Sequence, residues 1–289
     1  MKSIGISLNG GIGNLLFQLA AARTLHAMGY RVSLVEMNPG LYSRLATYVG
    51  NIDIPLAGRR THHLISSRLV GESTRISSAS KIASYLIRPI CIEELEFDAP
   101  IPNVINLRTR VLNGYFQNQE WYYSQTEKIC SAIESNRPAR IPQSLDGVVG
   151  VHLRRSDYVR LGWDLSESYY LEVLNKIRST GRENVIVVSD DQLTESLFIT
   201  RLRAIGFNSV EKNKFMPSSA LRDFYLLSAS EHIYMSNSTF SWWSAKLHDH
   251  IRPNANDQIH CPDRWLPDGR GENLIAEGWD LIGASFSRL

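Results

Sequence analysis

The first 35 residues alternate between apolar runs and a glycine-rich turn in a way that restricts the chain to one kind of sheet. Residues 3–8 predict a buried strand, and the turn Asn9-Gly10-Gly11-Ile12-Gly13-Asn14 follows directly. The next segment predicts a helix, because its apolar residues recur every three or four positions, mostly on one face, and Gly29 stands where a C-cap is expected. Residues 31–35 predict a second strand. Together these elements form a βαβ unit, which starts a parallel sheet.

The same alternation returns after the linker-like segment Ile141-Pro142-Gln143-Ser144. It predicts strands at 147–153, 185–188 and 232–235, and helices at 167–179, at 194–204, after a cap at Ser218 or Ser219, and from Thr239. We therefore predict an α/β fold of two doubly wound units, 1–143 and 144–289, with the largest cleft between them at the carboxyl ends of both sheets. Residues 38–113 mix short signals, and we place no motif there.

Composition and charge exclude several classes of protein. The 289 residues are 43% hydrophobic, and 31 basic against 29 acidic residues leave a net charge of +2. A charge this small gives no field for a polyanion, so we expect no nucleic-acid partner. No run reaches the ~20 apolar residues of a membrane-spanning helix, and the first residues lack a secretion signal. These features predict a soluble, cytoplasmic protein that can still contact a membrane surface.

The three cysteines, Cys91, Cys130 and Cys261, lie far apart in the sequence. An odd number at such spacing fits neither a disulfide framework nor a zinc cluster. We therefore expect reduced thiols.

The densest polar cluster is segment 151–158, at the end of a predicted strand. Strand alternation places His152 and Arg154 on one face and Arg155 on the other. An arginine at a rigid strand end offers a fixed fork of donors that suits a phosphate. The alternative is an ion-pair network of Arg154 or Arg155 with Asp157. Since two arginines neighbour one carboxylate, the sequence predicts a local positive charge.

A second cluster, Asp190 and Asp191, ends the predicted strand at 185–188. Such a pair can hold a divalent metal, accept hydrogen bonds from a ribose or a base, or cap the next helix. No third acidic residue is near in sequence, so we expect no metal.

A third cluster, segment 236–243, places hydroxyl side chains between a predicted strand and the start of a helix. Free N–H groups at a helix N-terminus, together with hydroxyls, can hold an anion. The alternative is an ordinary N-cap with Trp242 and Trp243 packed in the core. We prefer that alternative for the two tryptophans.

The glycine turn after the first strand is similar to the turn of dinucleotide-binding enzymes, but its pattern is incomplete. The dinucleotide-binding pattern requires glycine at position 16, where this chain has Leu16. Glu36 stands where an acid that binds ribose would lie, so a nicotinamide-dependent oxidoreductase is one alternative. A second alternative is a non-catalytic glycan-binding protein that stacks sugars on aromatic side chains. Those side chains would be Trp121, Tyr122, Tyr123, Trp163 and Trp265.

Taken in order, several segments resemble the motifs of bacterial α-1,2-fucosyltransferases of glycosyltransferase family 11. The resemblance extends from residue 5 to about residue 266, and Leu15, Leu16 and Leu19 depart from the family's usual residues in the first motif. The segments are Gly10-Gly11-Ile12-Gly13-Asn14-Leu15-Leu16-Phe17-Gln18-Leu19-Ala20, Gly114-Tyr115-Phe116-Gln117, His152-Leu153-Arg154-Arg155-Ser156-Asp157-Tyr158, Ser189-Asp190-Asp191, Asn237-Ser238-Thr239-Phe240-Ser241-Trp242-Trp243 and Pro262-Asp263-Arg264-Trp265.

The resemblance implies a GT-B type pair of Rossmann-like domains, an acceptor-side domain at 1–143 and a GDP-L-fucose-binding domain at 144–289. It implies inverting transfer of fucose to the 2-hydroxyl of a galactose-terminated glycan, often a lipid-linked O-antigen repeat, without metal or other cofactor. The acceptor's identity stays open, and residues 38–113 are expected to shape its site.

The resemblance also assigns roles to individual residues. Arg154 would neutralise the departing GDP. Asp157 is the carboxylate nearest in sequence to the arginine pair, so it is our candidate general base, and the alternative is that it locks Arg155 in place. Asn14 would orient the acceptor or the fucose ring. The other expected donor-binding residues are His152, Arg155, Asp190, Asp191, Ser238, Thr239, Phe240 and Ser241.

Overall fold

The computed structural model describes residues 2–57, 91–96, 99–102, 109–253 and 258–287. The described residues form two compact units. The first lies within Met1–Ala46 and Asn51–Gln125, and the second lies within Thr47–Gly50 and Thr126–Leu289.

The first unit contains a parallel sheet whose described strands have the order β2-β1-β4-β3. The predicted strand, helix and strand at the start of the chain are confirmed, and Gly29 has φ +89° at the end of the helix, as a C-cap glycine should. The elements are β1 (Ser3–Leu8), α1 (Ile12–Ala27), β2 (Arg31–Glu36), α2 (Leu41–Val49), β3 (Cys91–Glu94), β4 (Thr109–Asn113) and α3 (Gln119–Ser135).

Helix α1 is buried on every side, whereas the sequence predicted one apolar face. Residues 15–22 are all buried. Helix α3 covers the side that would otherwise meet solvent, because the ring of Phe17 packs 5.0 Å from that of Tyr122 and the Thr24 hydroxyl donates to the Trp121 carbonyl at 2.9 Å. The α1 helix is therefore a central helix of this unit.

The second unit contains a parallel sheet whose described strands have the order β10-β9-β8-β5-β6-β7. The α/β architecture that the sequence predicted as GT-B type is confirmed in the sheets of both units. The elements are β5 (Leu145–Leu153), α4 (Ser156–Leu161), α5 (Glu167–Ser179), β6 (Asn184–Ser189), α6 (Gln192–Ala204), β7 (Asn208–Ser209), α7 (Ala220–Ala229), β8 (Ser230–Tyr234), α8 (Thr239–Ile251), β9 (Ile259–Pro262) and β10 (Asp280–Ile282).

Each sheet has a point at which the strand order reverses. The chain runs from β5 outward through β6 to β7, and then returns to add β8, β9 and β10 on the other side of β5. In the first unit the reversal falls between β1 and β4. Open parallel sheets bind ligands at such switch points, beyond the carboxyl ends of the strands.

The division between the units falls inside α3, earlier than the predicted boundary after Gln143. The carboxyl-terminal half of α3 packs on the second unit, where the Tyr225 hydroxyl donates to the Ile133 carbonyl at 2.7 Å. The guanidinium of Arg137, just beyond α3, lies 4.8 Å from the centroid of the Tyr225 ring. A break in hydrophobic pattern marks the linker, but these contacts decide where the units divide.

Two other properties of the described residues concern membranes and thiols. No helix among them is both long and apolar enough to cross a membrane. Cys130 and Cys261 are free and buried. Burial raises the pKa of both thiols, that of Cys261 to about 12, so neither is a reactive thiolate near neutral pH.

Candidate active site

The guanidinium group of Arg154 lies one residue beyond β5, at the switch point of the second sheet. Its Nη1 pairs with Asp190 Oδ2 at 2.6 Å, and its Nη2 pairs with Asp157 Oδ1 at 2.5 Å. The ring of Tyr158 packs against it, with its centroid 4.9 Å from Cζ. The side chain is 26% exposed, while Nε is buried without a hydrogen-bond partner among the described residues. A permanently charged fork is thus held in place with part of its surface open.

The neighbouring Arg155 turns to a different partner. Its Nη1 pairs with Asp164, whose side chain is almost fully buried. Two arginines therefore meet three carboxylates, those of Asp157, Asp164 and Asp190, and the predicted local positive charge is wrong for this group of residues. The alternative, an ion-pair network of Arg154 with Asp157, is confirmed. The donor-binding role of Arg155 stays a prediction.

The two consecutive aspartates after β6, Asp190 and Asp191, bind different partners. Asp190 clamps the turn that follows β5, because its Oδ1 accepts the Arg155 N–H at 2.9 Å while its Oδ2 pairs with Arg154. Asp191 caps α6, where Oδ1 accepts the Thr194 N–H at 2.8 Å and this bond lowers the pKa of the carboxyl. The capping alternative is thus confirmed for Asp191. The guanosine contacts of both residues stay predictions.

His152 is buried at the end of β5 and is held as a neutral imidazole. Its Nδ1 lies 2.8 Å from the Ser236 hydroxyl, and its ring lies 5.3 Å from that of Phe240. Burial lowers its pKa to about 3, and the positive charges of Arg154 and Lys212 add to this shift. The imidazole can therefore exchange hydrogen bonds near neutral pH but brings no positive charge to the site.

The hydroxyl-rich segment after β8 leads into α8. Most of its side-chain hydroxyls form hydrogen bonds with backbone groups of the same segment. Ser238 is the N-cap, with Oγ accepting the Phe240 N–H at 3.3 Å. The Ser241 hydroxyl donates to the carbonyls of Ser236 and Ser238, both at 3.0 Å. Ser238 and Ser241 are buried, whereas Thr239 and Phe240 are partly exposed. An anion at this end of α8 would therefore meet backbone N–H groups more than hydroxyls.

The residues around this segment fix its position in the core. The Asn237 amide donates to the carbonyls of Trp163 and Trp265, both at 2.8 Å, and its Oδ1 is buried without a partner among the described residues. Trp242 and Trp243 are buried, as the N-cap alternative predicted. The cap and the anion-binding interpretations are compatible, since both require a well-fixed helix N-terminus.

Asn14 lies in the first turn of α1, at the switch point of the first sheet. Its Oδ1 accepts a hydrogen bond from Gln117 Nε2 at 3.3 Å. Glu36, the ribose-binding acid of the oxidoreductase alternative, instead accepts the Tyr42 N–H at 2.6 Å and so caps α2. The first unit therefore offers a fixed amide at its switch point, and its carboxylate at the end of β2 is already engaged.

Burial weakens the glycan-binding alternative. Trp121, Trp265 and Tyr122 are buried core residues, so their ring faces are closed to a sugar. Tyr123 is exposed, and Trp163 is partly buried. Three of the five candidate rings are therefore unavailable for stacking on a sugar.

Sequence reasoning missed two residues that contact the predicted ones. Asp164 pairs with Arg155 from nine positions away, and no periodicity or motif marks it. Gln117 belongs to a segment that the family resemblance singled out, but its contact with Asn14 spans 103 positions. Contacts of this range come from the fold and leave no signal in local sequence.

The buried imidazole of His152 predicts a pH dependence of stability. In the unfolded chain a histidine takes up its proton near pH 6.5, but in the folded protein His152 does so at about pH 3. Its contribution to stability is therefore complete above pH 6.5 and is lost as the pH falls toward 3. We expect His152→Gln to reduce the slope of unfolding free energy against pH by up to about 1.4 kcal/mol per pH unit between pH 6.5 and 5.

Urea denaturation at pH 7.0, 6.0 and 5.0 measures this slope. The exposed His26 serves as the control, because His26→Gln also removes one imidazole but from the surface. Equal slopes for wild type and His152→Gln would show that His152 is not buried as a neutral group.

The chain is similar to several known glycosyltransferases. It is 22% identical to an alpha-1,2-colitosyltransferase of Escherichia coli, over 92% of this chain and 99% of that protein. It is 24% identical to the O-antigen biosynthesis glycosyltransferase WbnK of E. coli, over 94% and 98%. Among solved structures it is similar to the E. coli heptosyltransferase WaaC with ADP, with 12% identity, a TM-score of 0.48, and coverage of 97% of this chain and 93% of that one.

A family profile gives the more general result. The profile of "Glycosyl transferase family 11" matches residues 99–253, which is more than half of the chain and includes Arg154, Asp190 and the start of α8. The chain belongs to glycosyl transferase family 11 and is a glycosyltransferase.

Proposed function

We propose that this glycosyltransferase moves L-fucose from GDP-β-L-fucose to the 2-hydroxyl of a terminal β-galactose, with inversion and without metal. The observation that carries the proposal is the Arg154 guanidinium, fixed at the switch point of the second sheet and partly open to solvent. The name of the similar colitosyltransferase supports the 1,2 linkage. The name of the similar O-antigen enzyme supports a surface-glycan acceptor.

The chemistry of the leaving group explains why an arginine is needed. As the bond to the sugar breaks, negative charge builds on the β-phosphate of GDP while the fucosyl carbon becomes oxocarbenium-like. A fixed cation at that oxygen stabilises the transition state more than the ground state. One such donor contributes about 3 to 4 kcal/mol. A guanidinium is always charged in proteins, and the exposed part of the Arg154 side chain leaves surface for an anionic partner.

The start of α8 provides the second contact for the diphosphate. Its first N–H groups carry the positive end of the helix dipole. The β5 and β8 strands are neighbours in the sheet, and the packing of His152 against Phe240 joins their carboxyl ends. A phosphate at the end of β5 would thus be near the N-terminus of a thirteen-residue helix.

Arrival of the diphosphate would displace one of the two carboxylates from Arg154. Asp190 is the harder one to move, because its other oxygen holds the Arg155 N–H and its side chain is 22% exposed. Asp157 is 45% exposed and lies on the short helix α4, none of whose residues is buried. We infer that the donor replaces Asp157, whose carboxylate is then available as general base for the acceptor hydroxyl.

The remaining assignments belong to the same proposal. Asn14 orients the acceptor or the fucose ring, and His152, Asp190 and Asp191 contact the guanosine. An acceptor that is built on a lipid carrier would bring a cytoplasmic enzyme into peripheral contact with the inner face of the membrane. No cofactor is required, since Arg154 and the start of α8 take the place of a metal at the diphosphate.

Purified protein should transfer fucose from GDP-fucose to a β-galactoside, and NMR of the product should show an α-1,2 linkage. The rate should persist in excess EDTA. GDP-colitose, whose sugar lacks the 3-hydroxyl, is the competing donor, because a site that hydrogen-bonds this hydroxyl rejects the deoxy analogue by about 10⁴-fold or more. Transfer from GDP-colitose alone would replace the donor in the proposal.

Two further results would contradict other parts of the proposed function, namely its independence of metal and the glycosyl-transfer reaction itself. Loss of activity in EDTA, restored by Mg²⁺, would assign a metal to Asp190 and Asp191. A melting temperature raised by NAD and unchanged by GDP would revive the oxidoreductase alternative, since a ligand at 100 times its dissociation constant adds about 2.7 kcal/mol to stability.

Replacing Arg154 by lysine should lower kcat about 10²- to 10³-fold, although the charge is kept. A point charge on a flexible stem cannot hold Asp190 and the β-phosphate with one fork. Arg160→Lys is the matched control, because Arg160 lies on α4 and is exposed. Steady-state kinetics with GDP-fucose provide the measurement. Near-normal kcat in the Arg154→Lys variant would exclude the phosphate role.

Replacing Asp157 by asparagine should lower kcat about 10²- to 10⁴-fold if its carboxylate removes the proton of the acceptor hydroxyl. Asp146→Asn is the matched control, because it also removes a carboxylate from an ion pair with arginine, at 2.6 Å to Arg252. If the Asp157→Asn variant keeps more than about a tenth of the wild-type kcat, another group is the base.

A further inference from the structure

The switch point of the first sheet holds a buried glutamine that no assigned role uses. We propose that Gln117 is a positioning residue, which fixes the amide of Asn14 in one orientation for the transfer reaction. The inference rests on the proposed function, in which Asn14 contacts a substrate.

The contact itself is specific in its direction. Gln117 is 2% exposed, and its Nε2 donates to Asn14 Oδ1 at 3.3 Å. On the other side of Asn14 lies Gly10, whose φ is +81° and whose missing Cβ would stand 2.7 Å from Asn14 Nδ2. The Oδ1 atom of the amide thus accepts from Gln117, and its Nδ2 atom packs over Gly10. Gln117 is therefore a donor that contributes to the orientation of Asn14.

Gln117 is placed at a cost to the fold. Its Oε1 is buried and has no hydrogen-bond partner among the described residues. A buried acceptor without a partner destabilises the folded state relative to an apolar side chain of the same shape. The preceding residue, Phe116, has φ +55°, a left-handed conformation that non-glycine residues rarely adopt. Two local costs at adjacent residues are expected where function, rather than stability, fixes the side chain.

A second buried glutamine in the same unit shows the structural alternative. Gln18 is fully buried in α1, and both ends of its amide are bonded. Its Oε1 accepts the Asn9 N–H at 3.0 Å, and its Nε2 donates to the Gly114 carbonyl at 3.1 Å. Gln18 thus ties the glycine turn to the end of β4 with no unsatisfied atom. Gln117 is only three positions beyond Gly114, but the oxygen of its amide has no hydrogen-bond partner among the described residues.

The position of the pair in the fold gives this difference a meaning. Asn14 follows β1 and Gln117 follows β4, the two strands between which the order of the first sheet reverses. Such a point is where an open parallel sheet presents groups to a ligand. The hydrogen bond thus connects Gln117, beyond β4, with Asn14, beyond β1, the residue that contacts a substrate in the proposed function.

The test uses Gln117→Leu, which removes both the donor to Asn14 and the unpartnered Oε1. We expect the melting temperature to stay equal or rise, while kcat falls about 10- to 100-fold through loss of orientation. The KM for the sugar nucleotide should change less than kcat. Gln18→Leu is the matched control and should lower the melting temperature, because it breaks two satisfied bonds.

A double-mutant cycle with Asn14→Ala identifies the route of the effect. If Gln117 acts through Asn14, then Gln117→Leu should change kcat less than about twofold in the Asn14→Ala background. An equal fall in both backgrounds, an unchanged kcat, or a melting temperature that falls together with kcat would each overturn the proposal.

The proposed function is judged separately, on the wild type alone. The cycle is run with whichever sugar nucleotide the wild type turns over, by transfer or by hydrolysis. A wild type that uses another donor contradicts the fucosyl assignment, while the ratios within the cycle still decide the role of Gln117.

Discussion

Arg154 joins the ends of two neighbouring strands and the short helix α4 through a pair of ion pairs, and the chemistry of the site depends on them. A guanidinium cannot lose its proton, so its environment must supply negative charge whether or not a ligand is bound. Asp190 supplies it from the end of β6, and Asp157 supplies it from α4. The adjacent ion pair of Arg155 with the buried Asp164 also holds the turn that follows β5. The fork is therefore held in position by carboxylates of the protein itself, which would limit reorganisation during the proposed reaction.

The two sheets repeat one design with different chemistry. Each places polar side chains just beyond the strands at which its order reverses, and each holds a buried polar atom there without a partner among the described residues. In the second sheet this is Nε of Arg154, one residue beyond β5. In the first sheet it is Oε1 of Gln117, beside the neutral amide of Asn14. In the proposed function, charge recognition and hydroxyl recognition would thereby belong to different units.

Local sequence pattern predicted the parts of this fold that local physics determines. The βαβ start, the strands β5 and β6, the cap at Asp191 and the buried tryptophans of α8 follow from periodicity and helix-end chemistry. The burial of α1 on all sides could not be predicted, because α3 covers it from a distance of about a hundred residues in sequence, as the Thr24 to Trp121 bond spans 97 positions. The predicted positive charge around Arg154 and Arg155 was wrong for the same reason. Asp164 and Asp190 pair with these arginines only in the folded chain.

The ion pairs of Arg154 also set an order of events in the proposed reaction. While Asp157 is paired with the guanidinium, its Oδ1 is engaged by Arg154. A diphosphate that takes its place on the guanidinium releases the carboxylate within the same turn of chain. The base would then become available only when the leaving group is already bound to its cation. In the proposed reaction such coupling would favour transfer from a fully bound donor, with the Asp190 pair keeping Arg154 in place during the exchange.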